Sequence, residues 1–254
     1  MERKNFLRAF AVAAVSGPMI IEGCKKDSVS TSGTNASTTT TTSTTTTTAK
    51  TSGSCVVTPT ETEGPYPYVG GEITNPLNRT DVTESTQKGV PLTLSLLVVN
   101  TNDNCNVVTG ARVDIWHCNK DGYYSGYANQ PGILGTKSYT GETWLRGYQL
   151  SDSSGLVKFT TIYPGWYSGR ATHIHIEVYI NGVLKKTGQM AFSSAITETV
   201  YNSSLYSAHG QNTTSNSTDN VFGDSATDLA NQTLTLAGSV SAGYAGTYTI
   251  GLAL

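Results

Sequence analysis

The chain has 254 residues, 13% of them charged, and carries 26 glycines, a balance suited to short strands joined by tight turns. Its formal net charge of -2 supplies no basic surplus with which to release counterions from a nucleic acid, so no nucleic-acid partner is expected. Beyond the N-terminal region, enough chain remains for one ordinary domain with its own hydrophobic core.

Residues 1–24 read as an export signal. Arg3, Lys4 and Arg8 place positive charge ahead of an apolar run from Ala9 to Ile21, which is too short to span a membrane but suits a signal-peptide core. Arg3-Lys4 followed by Phe6-Leu7 resembles a variant twin-arginine signal. Ile21-Glu22-Gly23-Cys24 resembles a bacterial lipobox, with Glu22 as its departure from the usual pattern and Cys24 as the residue to be lipidated. The protein is thus expected as a periplasmic or cell-surface lipoprotein held to a membrane through Cys24, or, with an ordinary secretory signal, as a secreted protein. Residues 25–54 are dominated by Ser and Thr, have nothing to bury, and read as a disordered tether. The globular domain is expected over residues 55–254.

Within that domain the pattern is that of β-structure. Leu92, Leu94 and Leu96 alternate with Thr93 and Ser95, and Ala111, Val113 and Ile115 alternate with Arg112, Asp114 and Trp116. Further strands are predicted over Leu145 to Leu150, Leu156 to Ile162 and Tyr244 to Leu252. Asn181-Gly182, between Ile174–Ile180 and Val183–Met190, is the signature of a type I′ hairpin turn. The Ser/Thr/Asn-rich stretch from Ser193 to Ser225 reads as loops with short helical turns. The fold expected is an all-β sandwich of mostly antiparallel strands, with long loops and few helices.

His173 and His175 flank Ile174 in a predicted strand, so both imidazoles share one face while Ile174 and Ile176 point the other way. Such a pair can chelate a metal or simply sit on a surface. Upstream, Pro164-Gly165 forces a turn that brings Tyr167 and Arg170 beside the histidine strand. Earlier still, the strand ending at Trp116 leads into Gly122-Tyr123-Tyr124-Ser125.

Six segments in order resemble the intradiol ring-cleavage dioxygenases, the family of protocatechuate and catechol dioxygenases. They are Thr62-Glu63-Gly64-Pro65-Tyr66, Gly110 to Trp116, Gly122 to Ser125, Leu145-Arg146-Gly147, Pro164-Gly165-Trp166-Tyr167, and Arg170 to His175. The resemblance implies that Tyr124, Tyr167, His173 and His175 hold one non-haem Fe(III), with Tyr167 and His175 axial. It implies that Tyr123 faces elsewhere, and that Arg170 and a displaceable Tyr167 are catalytic. The implied substrates are a catechol-type aromatic diol and O2, both oxygen atoms entering a cis,cis-muconate-type product. The Tyr167–Arg170 connection, only Ser168-Gly169, is shorter than in the protocatechuate and catechol enzymes and implies a more open pocket. Two phenolates are hard anionic donors suited to Fe(III), which fits the implied set.

Other residues carry two readings each. Tyr66 could touch substrate or only pack; Arg79, with Asp81, could line the site mouth or stabilise a turn. His117 and His209 match no family ligand and read as structural or exposed, and Trp116 and Trp144 as core aromatics. Cys105 and Cys118 flank one strand and its approach, which makes them the preferred disulfide and leaves Cys55 over. Two rival functions are a non-catalytic exported β-sandwich binding module, and a zinc hydrolase built on His173 and His175 with Glu177 as third ligand.

Overall fold

The computed structural model describes residues 55–68 and 77–254. The export signal, Cys24 and the whole of the Ser/Thr tether over 25–54 lie outside the described residues. Nine strands and two helices follow one another as β1 (Pro91–Asn100), β2 (Asn106–Val107), β3 (Arg112–Trp116), β4 (Arg146–Leu150), β5 (Leu156–Ile162), β6 (His173–Ile180), β7 (Val183–Ala191), α1 (Ser194–Tyr201), α2 (Ala226–Gln232), β8 (Thr235–Ser239) and β9 (Gly243–Leu252).

They form the all-β sandwich. One sheet has the order β2-β1-β9-β8, with β5 also paired to β1; the other is β4-β3-β6-β7. Pairing is antiparallel except for β1 with β9, which run parallel from Leu92↔Tyr244 to Asn100↔Leu252. The alternation read in β1 is realised: Leu92, Leu94, Leu96 and Val98 are buried, with less buried residues between them. From the second sheet Val113, Ile115, Ile174, Ile176 and Val178 join the same core, each fully buried aliphatic contributing roughly 1.5–3 kcal/mol. Asn181 and Gly182 both have positive φ, 51° and 78°, as the hairpin turn between β6 and β7 requires.

The opposite face of the second sheet carries the polar residues. Register sets Arg146, Trp116, His175 and Gln189 side by side on β4, β3, β6 and β7. Because strand neighbours in register share a face, these four form one transverse row pointing away from the sandwich core. The N-terminal segment straps across this face. Glu61 N–H donates to the Thr187 carbonyl (3.0 Å), Lys186 Nζ to Thr60 Oγ1 (2.7 Å), and Gln189 Nε2 to the Thr62 carbonyl (2.8 Å).

Sequence and structure part company over the cysteines. The disulfide joins Cys55 to Cys105, with Cα atoms 5.7 Å apart, and Cys118 is a free, buried thiol. The Cys105–Cys118 pairing is therefore wrong: Cys118 points into a cluster with Trp116, Tyr68 and Tyr124, while Cys55 at the start of the strap reaches the β1–β2 turn. Trp144 lies in the sandwich core as read, but Trp116 belongs to the outer cluster.

Candidate metal centre

Two loops deliver the tyrosines. The loop after β3 turns on Asn119, whose Oδ1 accepts from the backbone N–H of Asp121 and of Tyr123, both at 3.0 Å. Gly122 sits there at φ +85°, and a Cβ on it would lie 2.1 Å from the Trp166 carbonyl oxygen. In return Gly165 leans on this loop, its N–H donating to the Asn119 carbonyl (3.1 Å), and a Cβ on Gly165 would lie 2.5 Å from the Lys120 oxygen. The loops of Tyr124 and Tyr167 thus interlock through two glycines that admit no side chain. Gln130 fixes Tyr124 further, accepting from its N–H and donating to its carbonyl, both at 2.7 Å. Tyr123 turns away and donates to the Gly135 carbonyl.

At the centre, Nε2 of His173 and of His175 lie 3.1 Å apart, and Tyr124 Oη stands 3.4 and 3.2 Å from them. Two donors about 2.1 Å from one ion and at right angles to each other would be about 3 Å apart, so this triangle has the dimensions of a coordination edge. His173 Nδ1 lies 2.6 Å from the Ala171 carbonyl, which can only accept, so the proton resides on Nδ1 and Nε2 presents its lone pair. The Tyr167 ring meets those of Tyr124 (5.8 Å) and His173 (5.6 Å), and its buried hydroxyl has no hydrogen-bond partner. Three of the four buried side-chain polar atoms left without a partner among the described residues belong here: Tyr167 Oη, His175 Nδ1 and Trp116 Nε1. Native interiors rarely tolerate such orphans, and of the three it is Tyr167 Oη that a further group at this centre could satisfy. Among the described residues no cluster of three or more His, Cys, Asp or Glu suits a metal, and the further side-chain donors beside the two histidines are tyrosine oxygens. Glu177, the third ligand of a zinc site, instead accepts from Tyr179 Oη at 2.7 Å.

Burial governs the protonation states. It pulls His173 down to about 3 and His175 well below the usual imidazole value, so both rings are neutral and ready to donate. It raises Tyr124 well above the ordinary phenol value and Tyr167 to about 12, with Arg170 opposing it in both. Neither phenol ionises unaided at neutral pH, whereas a bound cation removes such protons.

The surrounding groups hold this arrangement. Trp116 stacks on His175 (4.7 Å, 4° between planes), and a Cβ on Gly64 of the strap would come 3.1 Å from the same imidazole. Tyr66 stacks on Tyr124 at 4.8 Å and meets Tyr127 and Tyr167 edge-on. Arg170, buried, donates through Nε to Asp219 Oδ2 (2.9 Å) and through Nη2 to Gln189 Oε1 (2.6 Å). Burial alone would depress its pKa; Asp219 more than offsets this. Arg146, fully buried, donates to Ser125 Oγ and O (both 3.0 Å) and to the Tyr66 and Pro67 carbonyls (both 3.1 Å), and its guanidinium lies 5.5 Å from the Tyr124 ring centroid.

Of the residues singled out from sequence, Tyr124, Tyr167, Arg170, His173, His175 and Tyr66 come together. Arg79 does not: its guanidinium is spent on Glu84 and on the Thr143 and Arg146 carbonyls, while Asp81 Oδ1 accepts from Thr83. Arg79 and Asp81 thus do not pair with each other as the turn-stabilising reading has it; each is held by other partners, and these take up the Arg79 guanidinium otherwise offered to substrate. His117 is buried between the Cys118 carbonyl and Thr161 Oγ1, and His209 packs on Trp166 at 4.5 Å. Asp219, Gln189 and Gln130 were not singled out from sequence. Gln189 alone left a signal, since the hairpin register places it opposite His175.

A two-sheet β-sandwich with two histidines of one strand and two loop tyrosines gathered on an outer sheet face defines a Tyr/His class of candidate metal site. A family model described as a dioxygenase matches residues 62–208, more than half of the chain. The chain belongs to the intradiol ring-cleavage dioxygenase family. It is similar to the intradiol ring-cleavage dioxygenase from Tetranychus urticae, with 28% identity over 78% of this chain and 95% of that one and a TM-score of 0.68. It is also similar to the dioxygenase domain of a dioxygenase carbohydrate-binding protein fusion from Streptomyces sp. SirexAA-E, with 25% identity over 78% and 98% of the two chains and a TM-score of 0.55. Catechol 1,2-dioxygenase from Pseudomonas arvilla C-1 shares the fold, with 20% identity over 77% and 62% of the chains and a TM-score of 0.50.

Proposed function

We propose that the protein is a non-haem Fe(III) enzyme that cleaves a catechol-type aromatic diol between its hydroxyl carbons, using O2. The observation that carries this reading is the convergence of His173 Nε2, His175 Nε2 and Tyr124 Oη within 3.4 Å, beside the orphaned hydroxyl of Tyr167. The donor set fits ferric iron: two neutral imidazoles and two phenols that become hard anionic ligands once ionised. His173, His175, Tyr124 and Tyr167 would hold the ion, which would supply Lewis-acid withdrawal of charge from a bound diol. Tyr167 Oη, engaged by no hydrogen bond, is the protein atom best placed to take up a proton from the incoming diol. Tyr124, clamped at both backbone groups by Gln130, stays fixed while this happens. Arg170, balanced overall by Asp219, turns the positive end of that pair toward both tyrosines, where it can steady negative charge that develops on the ring. Tyr66 forms an aromatic wall against which that ring can lie.

The test is the visible spectrum of the purified protein, with and without catechol under anaerobic conditions. Tyrosinate on Fe(III) gives charge-transfer absorption, so the expected result is a wine-red protein whose band shifts with catechol and whose product carries both atoms of labelled O2. A protein that stays colourless after reconstitution with Fe(III) removes the tyrosines from the ligand set and overturns the reading.

The same reading extends to location. A disulfide between Cys55 and Cys105 is supported by an oxidising compartment, which agrees with export directed by residues 1–24, lipidation at Cys24 and a tether over 25–54.

A further inference from the structure

Arginine is the residue that ordinarily receives a carboxylate, through two parallel N–H donors of its planar fork. Near the candidate centre the cations felt by Tyr124, Tyr167, His173 and His175 are Arg146 and Arg170, among the described residues. Neither has a fork to offer. Nε, Nη1 and Nη2 of Arg146 all donate to Ser125, Tyr66 and Pro67 oxygens. Nε and Nη2 of Arg170 face Asp219, and Nη2 also faces Gln189, so Nη1 alone is left over and no two parallel donors are free.

Asp219 is no incidental partner. Its side chain is completely buried, and besides Arg170 it accepts from the backbone N–H of Ala171 (2.6 Å), Val221 (2.8 Å) and Phe222 (3.1 Å). Three backbone donors hold this carboxylate ionised and in place, so it cannot swing aside to free the arginine. The Arg170–Asp219 pair therefore carries no net charge, and Phe222 covers the guanidinium at 5.9 Å. The other walls are the rings of Tyr66, Tyr127 and Tyr167.

We propose that Asp219 is a specificity-determining positioning residue: by neutralising and orienting Arg170 it restricts the site to diols whose ring substituents are uncharged, and disfavours diols bearing a carboxylate. This rests on the diol-cleaving function proposed above. A carboxylate brought against these walls meets a neutral ion pair and no free guanidinium fork, and a desolvated charge without a matching partner is costly.

Two probes of nearly equal size separate charge from bulk: 3,4-dihydroxybenzoate and its methyl ester. Each is titrated anaerobically into the iron-loaded protein, and its dissociation constant is read from the shift of the charge-transfer band. The ester is expected to bind at least about tenfold more tightly than the acid. In Asp219→Asn, which leaves Arg170 with an uncompensated charge, the gap should close to within about threefold. In Arg170→Gln, which leaves the Asp219 charge behind, it should widen, so this variant decides the matter if Asp219→Asn does not fold. A loss of rigidity alone would weaken acid and ester equally, leaving their ratio fixed. Equal binding of acid and ester by the unaltered protein overturns the inference, as does an unchanged ratio in folded Asp219→Asn. If no diol shifts the band at all, the diol-cleaving function itself falls, and the selectivity with it.

Discussion

Replacing Gly122 with alanine tests whether the two tyrosine loops are keyed together. The added Cβ meets two separate costs. At φ +85° an L-residue sits in the left-handed region, worth roughly 1–2 kcal/mol. The new methyl would also lie 2.1 Å from the Trp166 carbonyl, so backbone must move by more than an ångström, and overpacking of that kind costs roughly another 1–3 kcal/mol. Gly182→Ala is the matched control: φ is +78°, but nothing lies within 4 Å of its Cβ, so only the conformational cost applies. At roughly 2–4 °C per kcal/mol for a domain of this size, the control should melt about 2–8 °C low and Gly122→Ala about 4–20 °C low. Iron uptake separates them further. Displacing Tyr124 and Tyr167 by about an ångström should cost on the order of a hundredfold in turnover, while the hairpin variant retains its colour and rate. Thermal melts by circular dichroism and the visible band measure both effects. Should Gly122→Ala melt no lower than Gly182→Ala, the interlock contributes nothing and the reasoning fails.

Three further outcomes follow from the same structure. Cys55→Ala opens a loop of 50 residues in the unfolded chain and should lower stability by up to about 4 kcal/mol; peptide mapping without reduction should find Cys55 joined to Cys105 and Cys118 alkylated only after unfolding. Burial, helped by Glu63 and Asp114, raises Glu177 to about 7, against the Tyr179 hydrogen bond that lowers it. Its folded pKa therefore exceeds its unfolded one, so its contribution to stability is full below about pH 4.5 and is lost as pH rises through about 7; Glu177→Gln should flatten that segment of the stability-versus-pH curve, and an unaltered slope would contradict the assignment. Tyr167→Phe deletes the orphaned hydroxyl, so it should shift the charge-transfer band and slow diol binding at least about tenfold by stopped-flow, while costing little stability because no hydrogen bond is lost. Full-speed binding in that variant would remove Tyr167 from the proton step.

Much of this architecture was legible because its signals are local. Alternation located β1 and β3, turn residues bounded β5, and the Asn181-Gly182 pair marked β6 and β7 and the hairpin whose register puts His175 opposite Gln189. The ordered tyrosines and arginine could be matched because each lies within two residues of a glycine, and the histidines because they alternate with isoleucines in one strand. What escaped depends on distant partners. β2 is two exposed residues and β8 five mostly exposed ones, neither long enough to show a period. Helix α1 lies in the stretch read as loops with short helical turns, its bounds hidden because Ser, Thr and Glu mask the pair Val200 and Tyr201 that anchors it. Cys105 was paired with its nearer neighbour, whereas its partner arrives from 50 residues upstream through the strap. Asp219 looked like one more polar loop residue, and only the fold places it against Arg170.

Strand β6 contributes His173 and His175 to one face and Ile174, Ile176 and Val178 to the other. Chemistry and folding are therefore written into the same eight residues at alternating positions. Drift at the isoleucines would be punished through loss of the protein itself, and drift at the histidines only through loss of the proposed metal site. A lineage that gave up catalysis could thus erase every second residue of this strand and keep the domain as a stable binding scaffold. The route back would require only two side chains, because the loops that present the tyrosines are held by contacts of their own.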